Sequence, residues 1–104
     1  MDWKECCDRK IAKRVSKDPD LISSLTRSSI NKLESEKKLP LNNITASSKI
    51  SLAYDSLREL LEVLALKNQY KIYNHECYTC FLKEVLKENN KAEKFDEIRR
   101  IRNQ

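Results

Sequence analysis

Apolar residues recur at steps of three and four through the middle of the chain: Ile50, Ala53, Leu57, Leu60, Leu61 and Leu64 share one helical face. Leu52, Val63 and Leu66 add a second flank, so the C-terminal half of this stretch is apolar over more than one side. A helix with so wide an apolar arc needs several neighbours to cover it. The pattern predicts a central bundle helix over residues 44–69. Ser51, Asp55, Arg58, Glu59 and Glu62 form its polar remainder, with Arg58 and Glu62 at i,i+4 spacing.

The flanking segments read as further helices. Trp3, Cys7, Ile11 and Val15 fall four apart and predict a short amphipathic helix from Asp2 to about Ser16. Asp18 followed by Pro19 breaks it and starts a second helix over 18–38, with an N-cap acceptor and proline at the first helical position. Its apolar positions Ile22, Leu25, Ile30 and Leu33 are interleaved with Ser24, Ser28 and Ser29. That mixture predicts a partly solvated helix, with side chains small enough to admit a close neighbour. Pro40 ends it, and Asn42 or Asn43 can cap the central helix. Gln69 to Tyr73 is a short connection, and Asn74 caps a third long helix over 75–88 with Tyr78, Phe81, Leu82 and Val85 inward. A last helix over 91–104 carries Ala92, Phe95, Ile98 and Ile101. The expected fold is all-α, an antiparallel bundle of four to five helices forming one domain over 1–104.

Composition narrows the class. The chain has no glycine, which disfavours tight-turned strands and excludes glycine-rich phosphate loops. Its net charge of +5 permits an acidic partner such as RNA without demanding one. No apolar run is long enough to span a membrane, and the opening MDWKECCDRK lacks the apolar core of a signal peptide. A cytoplasmic protein is expected, with its four cysteines as thiols.

The residues that can carry chemistry are few. In the terminal FDEIRRIRNQ, Arg102 follows Phe95 by seven residues and projects on the side of Phe95 and Ile98. Arg100 points elsewhere, toward solvent, in reach of Asp96 at i,i+4. His75, the single histidine, reads as an exposed first-turn residue. His75, Cys77 and Cys80 have a spacing open to zinc, with Cys6 and Cys7 as distant completing ligands. Cys77 and Cys80 share a helical turn, however, which favours buried thiols over a metal site. Asp55, Glu59 and Glu62 read as a solvated polar face.

Taken together, YDSLRELLEVLAL, NHECYTCFLKEVL and FDEIRRIRN resemble a HEPN domain over roughly residues 47–104. The resemblance implies a helical bundle that dimerises with itself. It also implies RNA or nucleotide as ligand, and a toxin–antitoxin setting with a small nucleotidyltransferase as partner protein. Active members of the family are metal-independent endoribonucleases that need no cofactor. Their motif is an arginine, a polar residue and, a few positions on, a histidine. Arg102 and Asn103 match the first two positions and are the catalytic candidates, while Asp55, Arg58 and Arg99 are candidates to line the groove. No histidine follows Arg102 in this sequence, so two expectations stand: a protein that continues into the motif histidine and is a metal-independent endoribonuclease, or an inactive relative in which Arg102 binds phosphate without turnover. In the chemistry of the family, histidine takes the ribose hydroxyl proton and the arginine fork steadies the phosphorane charge. The alternative is a non-catalytic protein-interaction module.

Overall fold

The computed structural model describes residues 1–103; the final position of the predicted last helix, Gln104, lies outside them. Helix α1 (Trp3–Asp8) is followed by strand β1 (Ala12–Arg14), helix α2 (Pro19–Lys38) and helix α3 (Ala46–Lys67). Strand β2 (Tyr70–Ile72), helix α4 (His75–Cys80), a π-helical turn (Phe81–Val85) and helix α5 (Asn89–Arg102) complete the chain. The molecule is mostly helical, and α3 is its centre, with α2 on one side and α5 on the other. No helix among the described residues is long and apolar enough to cross a membrane.

The caps act locally, as their chemistry requires. Asp18 accepts from the Leu21 amide at 3.1 Å with Pro19 at the helix start. Asn74 accepts from the Cys77 amide at 2.8 Å. At the start of α3, Asn42 instead organises the preceding turn, its side chain accepting from the amides of Ile44 and Thr45.

Two expectations are corrected at the N-terminal side. The first helix ends at Asp8, and Ala12–Arg14 pairs antiparallel with Tyr70–Ile72, so a two-stranded ribbon stands where a helix and a plain connection were expected. The absence of glycine does not prevent this. Lys10, Gln69 and Lys87 take left-handed backbone angles, with φ of 60°, 64° and 58°. Lys10 and Gln69 each follow a helix C-cap, where glycine is usual, and each precedes a strand. A lysine or glutamine there costs roughly 1–2 kcal/mol of backbone strain that glycine avoids.

The core lies between α3, α4, the π-turn and α5. Phe81 and Phe95 are its largest fully buried side chains, joined by Leu61, Ala65, Ile72 and Leu82. Trp3 closes it from α1, edge-on to Tyr70 at 5.1 Å and tilted against Phe81 at 5.5 Å. A disulfide between Cys6 and Cys77 fastens α1 to α4 across 71 residues, correcting the expectation of four thiols; Cys7 and Cys80 are free. The predicted third helix changes pitch at Phe81 and ends at Val85 rather than running to residue 88.

The α2–α3 hairpin is held differently. Ser29, the one buried residue of α2, sits 2.8 Å from the Ser56 hydroxyl, and each serine donates to the other's carbonyl at 2.9 Å. These small residues let the two backbones come close. The ion pair Lys32–Glu59 and the pair Lys49–Glu36 flank them. Glu59, expected on a solvated face, is 4 % exposed. Burial would raise its carboxyl, but hydrogen bonds from Lys32 and Ser28 hold it below the ordinary range. Conversely, Ile50, Leu60 and Leu64 of the predicted apolar stripe are 36 %, 40 % and 40 % exposed. With α2 packed chiefly on α3, the chain is elongated: its radius of gyration is 14.6 Å, against about 13 Å for an evenly packed domain near 100 residues.

Candidate functional site

Because Asn74 caps α4, His75 is seated in the first turn, facing α5. Its ring stacks on Phe95, centroids 4.1 Å apart and planes within 23°. The next residue, Asp96, also meets His75. Nε2 of His75 lies 2.6 Å from Asp96 Oδ1, and the Thr79 hydroxyl donates to the same oxygen at 3.0 Å. His75 is therefore a partly buried, paired residue, which corrects its reading as an exposed one. Burial lowers its imidazole below the ordinary value, outweighing the hydrogen bond and charge of Asp96. The neutral ring then donates Nε2–H to Asp96, leaving Nδ1 an acceptor that is buried without a hydrogen-bond partner among the described residues. For Asp96, burial pushes the carboxyl up, but hydrogen bonds from His75 and Thr79 win and hold it low.

This pair borders a polar cavity of about 760 Å³, whose wall includes Glu76, Lys83, Glu84, Arg99 and Arg100. On its other flank His75 borders a smaller cavity of about 160 Å³, with Tyr54, Arg58, Glu62, Tyr73 and Tyr78. Burial pushes the Tyr78 hydroxyl far above its ordinary value, so it stays protonated. One imidazole thus divides two polar recesses, with Arg99 on one side and Arg58 on the other.

The sequence candidates fall into separate places. Arg102 is exposed; its guanidinium lies over the Tyr54 ring at 4.8 Å, and Asn103 Oδ1 accepts from it at 3.4 Å. Tyr54 stacks on Phe95 at 5.9 Å, within 3° of parallel, so Arg102, Tyr54, Phe95 and His75 form one column. Arg99 lines the larger cavity and Arg58 the smaller, while Asp55 lines neither. Arg100 is exposed, as expected, on the wall of the larger cavity, and Asp96, within its i,i+4 reach, pairs with His75.

The zinc reading fails on its ligands. Cys6 and Cys77 do come together, but as a disulfide, so neither offers a thiolate. Cys80 is buried, and burial followed by the charge of Glu84 keeps its thiol protonated above the ordinary range. Among the described residues no group of three or more His, Cys, Asp or Glu is placed to hold a metal ion.

Sequence reasoning missed Asp96, Thr79 and Lys83. The available signal was weak: a lone histidine directly after a strong cap, and an aspartate beside the most inward aromatic of the last helix. No protein-family model matches the chain, nor does any curated protein or solved structure.

Proposed function

We propose that the protein binds the phosphate groups of RNA or of a nucleotide in the cavity beside His75 and Asp96, in the manner of a HEPN-type domain. One observation carries this reading. The cavity's carboxylates are engaged: Asp96 by His75 and Thr79, Glu84 by the Trp3 amide at 2.8 Å, and Glu76 by the Met1 nitrogen at 3.8 Å. Its cations, Lys83, Arg99 and Arg100, have no carboxylate within ion-pair distance among the described residues. A phosphate entering there meets exposed cations and displaces no internal partner from them. Arg102, over Tyr54 and beside Asn103, offers a further cation outside the cavity.

The geometry favours binding over turnover. A general base needs its free nitrogen within reach of the ribose hydroxyl, and the free nitrogen of His75 is buried. Fluorescence anisotropy with a labelled RNA and with a fluorescent nucleotide tests the proposal. Arg99→Ala with Lys83→Ala should weaken binding about tenfold or more at low salt, while Lys37→Ala on α2 should not. Any cleavage should persist in chelator. Indifference of binding to the cavity variants would remove this reading.

A non-catalytic interaction module is the second reading, favoured by an exposed apolar face. Leu57, Leu60, Leu61, Leu64 and Ile98 line a groove of about 380 Å³ between α3 and α5, rimmed by Lys91 and Lys94. Helical period places Ile30 and Leu33 of α2 on the same flank, across from the Lys32–Glu59 pair. Its occupant on this reading is a second copy of the chain, joined through these leucines and isoleucines.

A further inference from the structure

The net charge of the chain has a single address. Residues 9–17 read RKIAKRVSK and hold five basic side chains, Arg9, Lys10, Lys13, Arg14 and Lys17, with no acidic one. Elsewhere sixteen basic side chains, 21 less these five, balance 16 acidic ones, so the whole excess of +5 lies in this segment. All five are exposed, and none takes part in an ion pair among the described residues.

The ribbon concentrates them further. Pairing sets Lys13 directly across from Lys71, a like-charged cross-strand pair that ordinarily weakens a ladder. Lys71 turns to Glu62 at 3.2 Å, and Lys13 is left over the ring of Tyr73 at 5.6 Å. Arg14 lies over Tyr70 at 4.6 Å. Lys10, Lys13, Arg14 and Tyr70 line an open cleft of about 620 Å³. Tyr73, reached by Lys13, is 60 % exposed and lines the smaller recess beside His75.

We propose that this ribbon is a docking site for the phosphate backbone of single-stranded RNA, with Tyr73 as a platform for an unpaired base. The proposal rests on the reading of RNA as ligand and names a second surface, separate from the His75–Asp96 cavity. Cations that track a backbone beside an exposed aromatic ring are the recurring arrangement for single strands. A lipid surface fits less well, because it needs apolar side chains beside the cations on the outer face. Here Ala12 is buried, and Ile11 and Val15 are half-buried.

The test is the salt dependence of binding to a short labelled oligouridylate. Lys13→Gln with Arg14→Gln should lower the slope of log affinity against log salt by about 1.4, at roughly 0.7 per phosphate contact. Lys10→Gln with Lys17→Gln, outside the strand, should act in the same direction and guards against a ribbon that fails to form. Lys37→Gln with Lys38→Gln on α2 makes the same charge change and should leave the slope alone. A wild-type slope in both ribbon variants, with binding lost in Arg99→Ala/Arg100→Ala, would overturn this proposal and leave the cavity reading intact. Absence of RNA binding by the unaltered protein at low salt would overturn both. Tighter binding to anionic vesicles than to RNA, lost in the ribbon variants, would reassign the ribbon to a lipid surface and overturn the proposal.

Discussion

His75 and Asp96 stand 21 residues apart, yet their side chains meet at 2.6 Å and join the first turn of α4 to the middle of α5. The contact is made by a neutral imidazole against an ionised carboxylate, since burial lowers the histidine and hydrogen bonds from His75 and Thr79 hold the aspartate low.

The pair fixes how stability varies with pH. A histidine whose folded-state value lies below its ordinary 6.5 takes up its proton in the unfolded chain first. Stability from this group is therefore complete above that value and falls as the pH drops through it toward the folded-state value. Denaturant unfolding should show the advantage of the unaltered protein over His75→Asn shrinking as the pH is lowered through the ordinary histidine value of about 6.5. An advantage that grows on acidification would mean that the imidazole is charged in the fold.

The Lys32–Glu59 pair gives a second outcome. Lys32→Ala leaves the Glu59 carboxylate buried without its cation. The loss should sit near the low end of the roughly 3–5 kcal/mol seen for broken buried pairs, because the lysine end is partly wet. Lys32→Leu with Glu59→Leu should recover most of it. A double-mutant cycle by urea unfolding checks the coupling.

Loop closure governs the third. Cys6–Cys77 spans 71 residues, and Cys6→Ser or Cys77→Ser should cost about 2–4 kcal/mol through the freed unfolded chain. Alkylation of denatured, unreduced protein should mark only Cys7 and Cys80, and all four cysteines after reduction, as read by mass spectrometry.

Adjacent leucines on α3 separate folding from association. Leu61 is 5 % exposed and Leu60 is 40 % exposed. Leu61→Asp should unfold the protein, because it buries an unpaired charge. Leu60→Asp should leave the melting transition within about 1 kcal/mol of the original in stability while lowering the sedimentation mass of any self-associated form. Loss of the fold in both would show that the groove is closed by the chain's own packing.

The sequence by itself determined the helical class, the central position of α3 and the helix starts at Asp18 and Asn74. Each depends on residues within one or two turns of one another, and capping is chemistry between a side chain and an amide three positions on. Helical period also put Arg102 on the side of Phe95, where its guanidinium meets Tyr54. Tertiary structure decided the rest. Two three-residue strands are too short to show alternation, and the pairing of Ala12 with Ile72 joins distant parts of the chain, as do the Trp3–Tyr70 contact and the Cys6–Cys77 bond. Glu59 could be buried because Lys32 came to it from α2, and Leu60 stayed exposed because, among the described residues, no helix covers that flank. His75 met Asp96 only through the packing of α4 on α5. Local pattern records which side of a helix is apolar, but the partner of a polar side chain is set by long-range packing, and the candidate site consists of such partners.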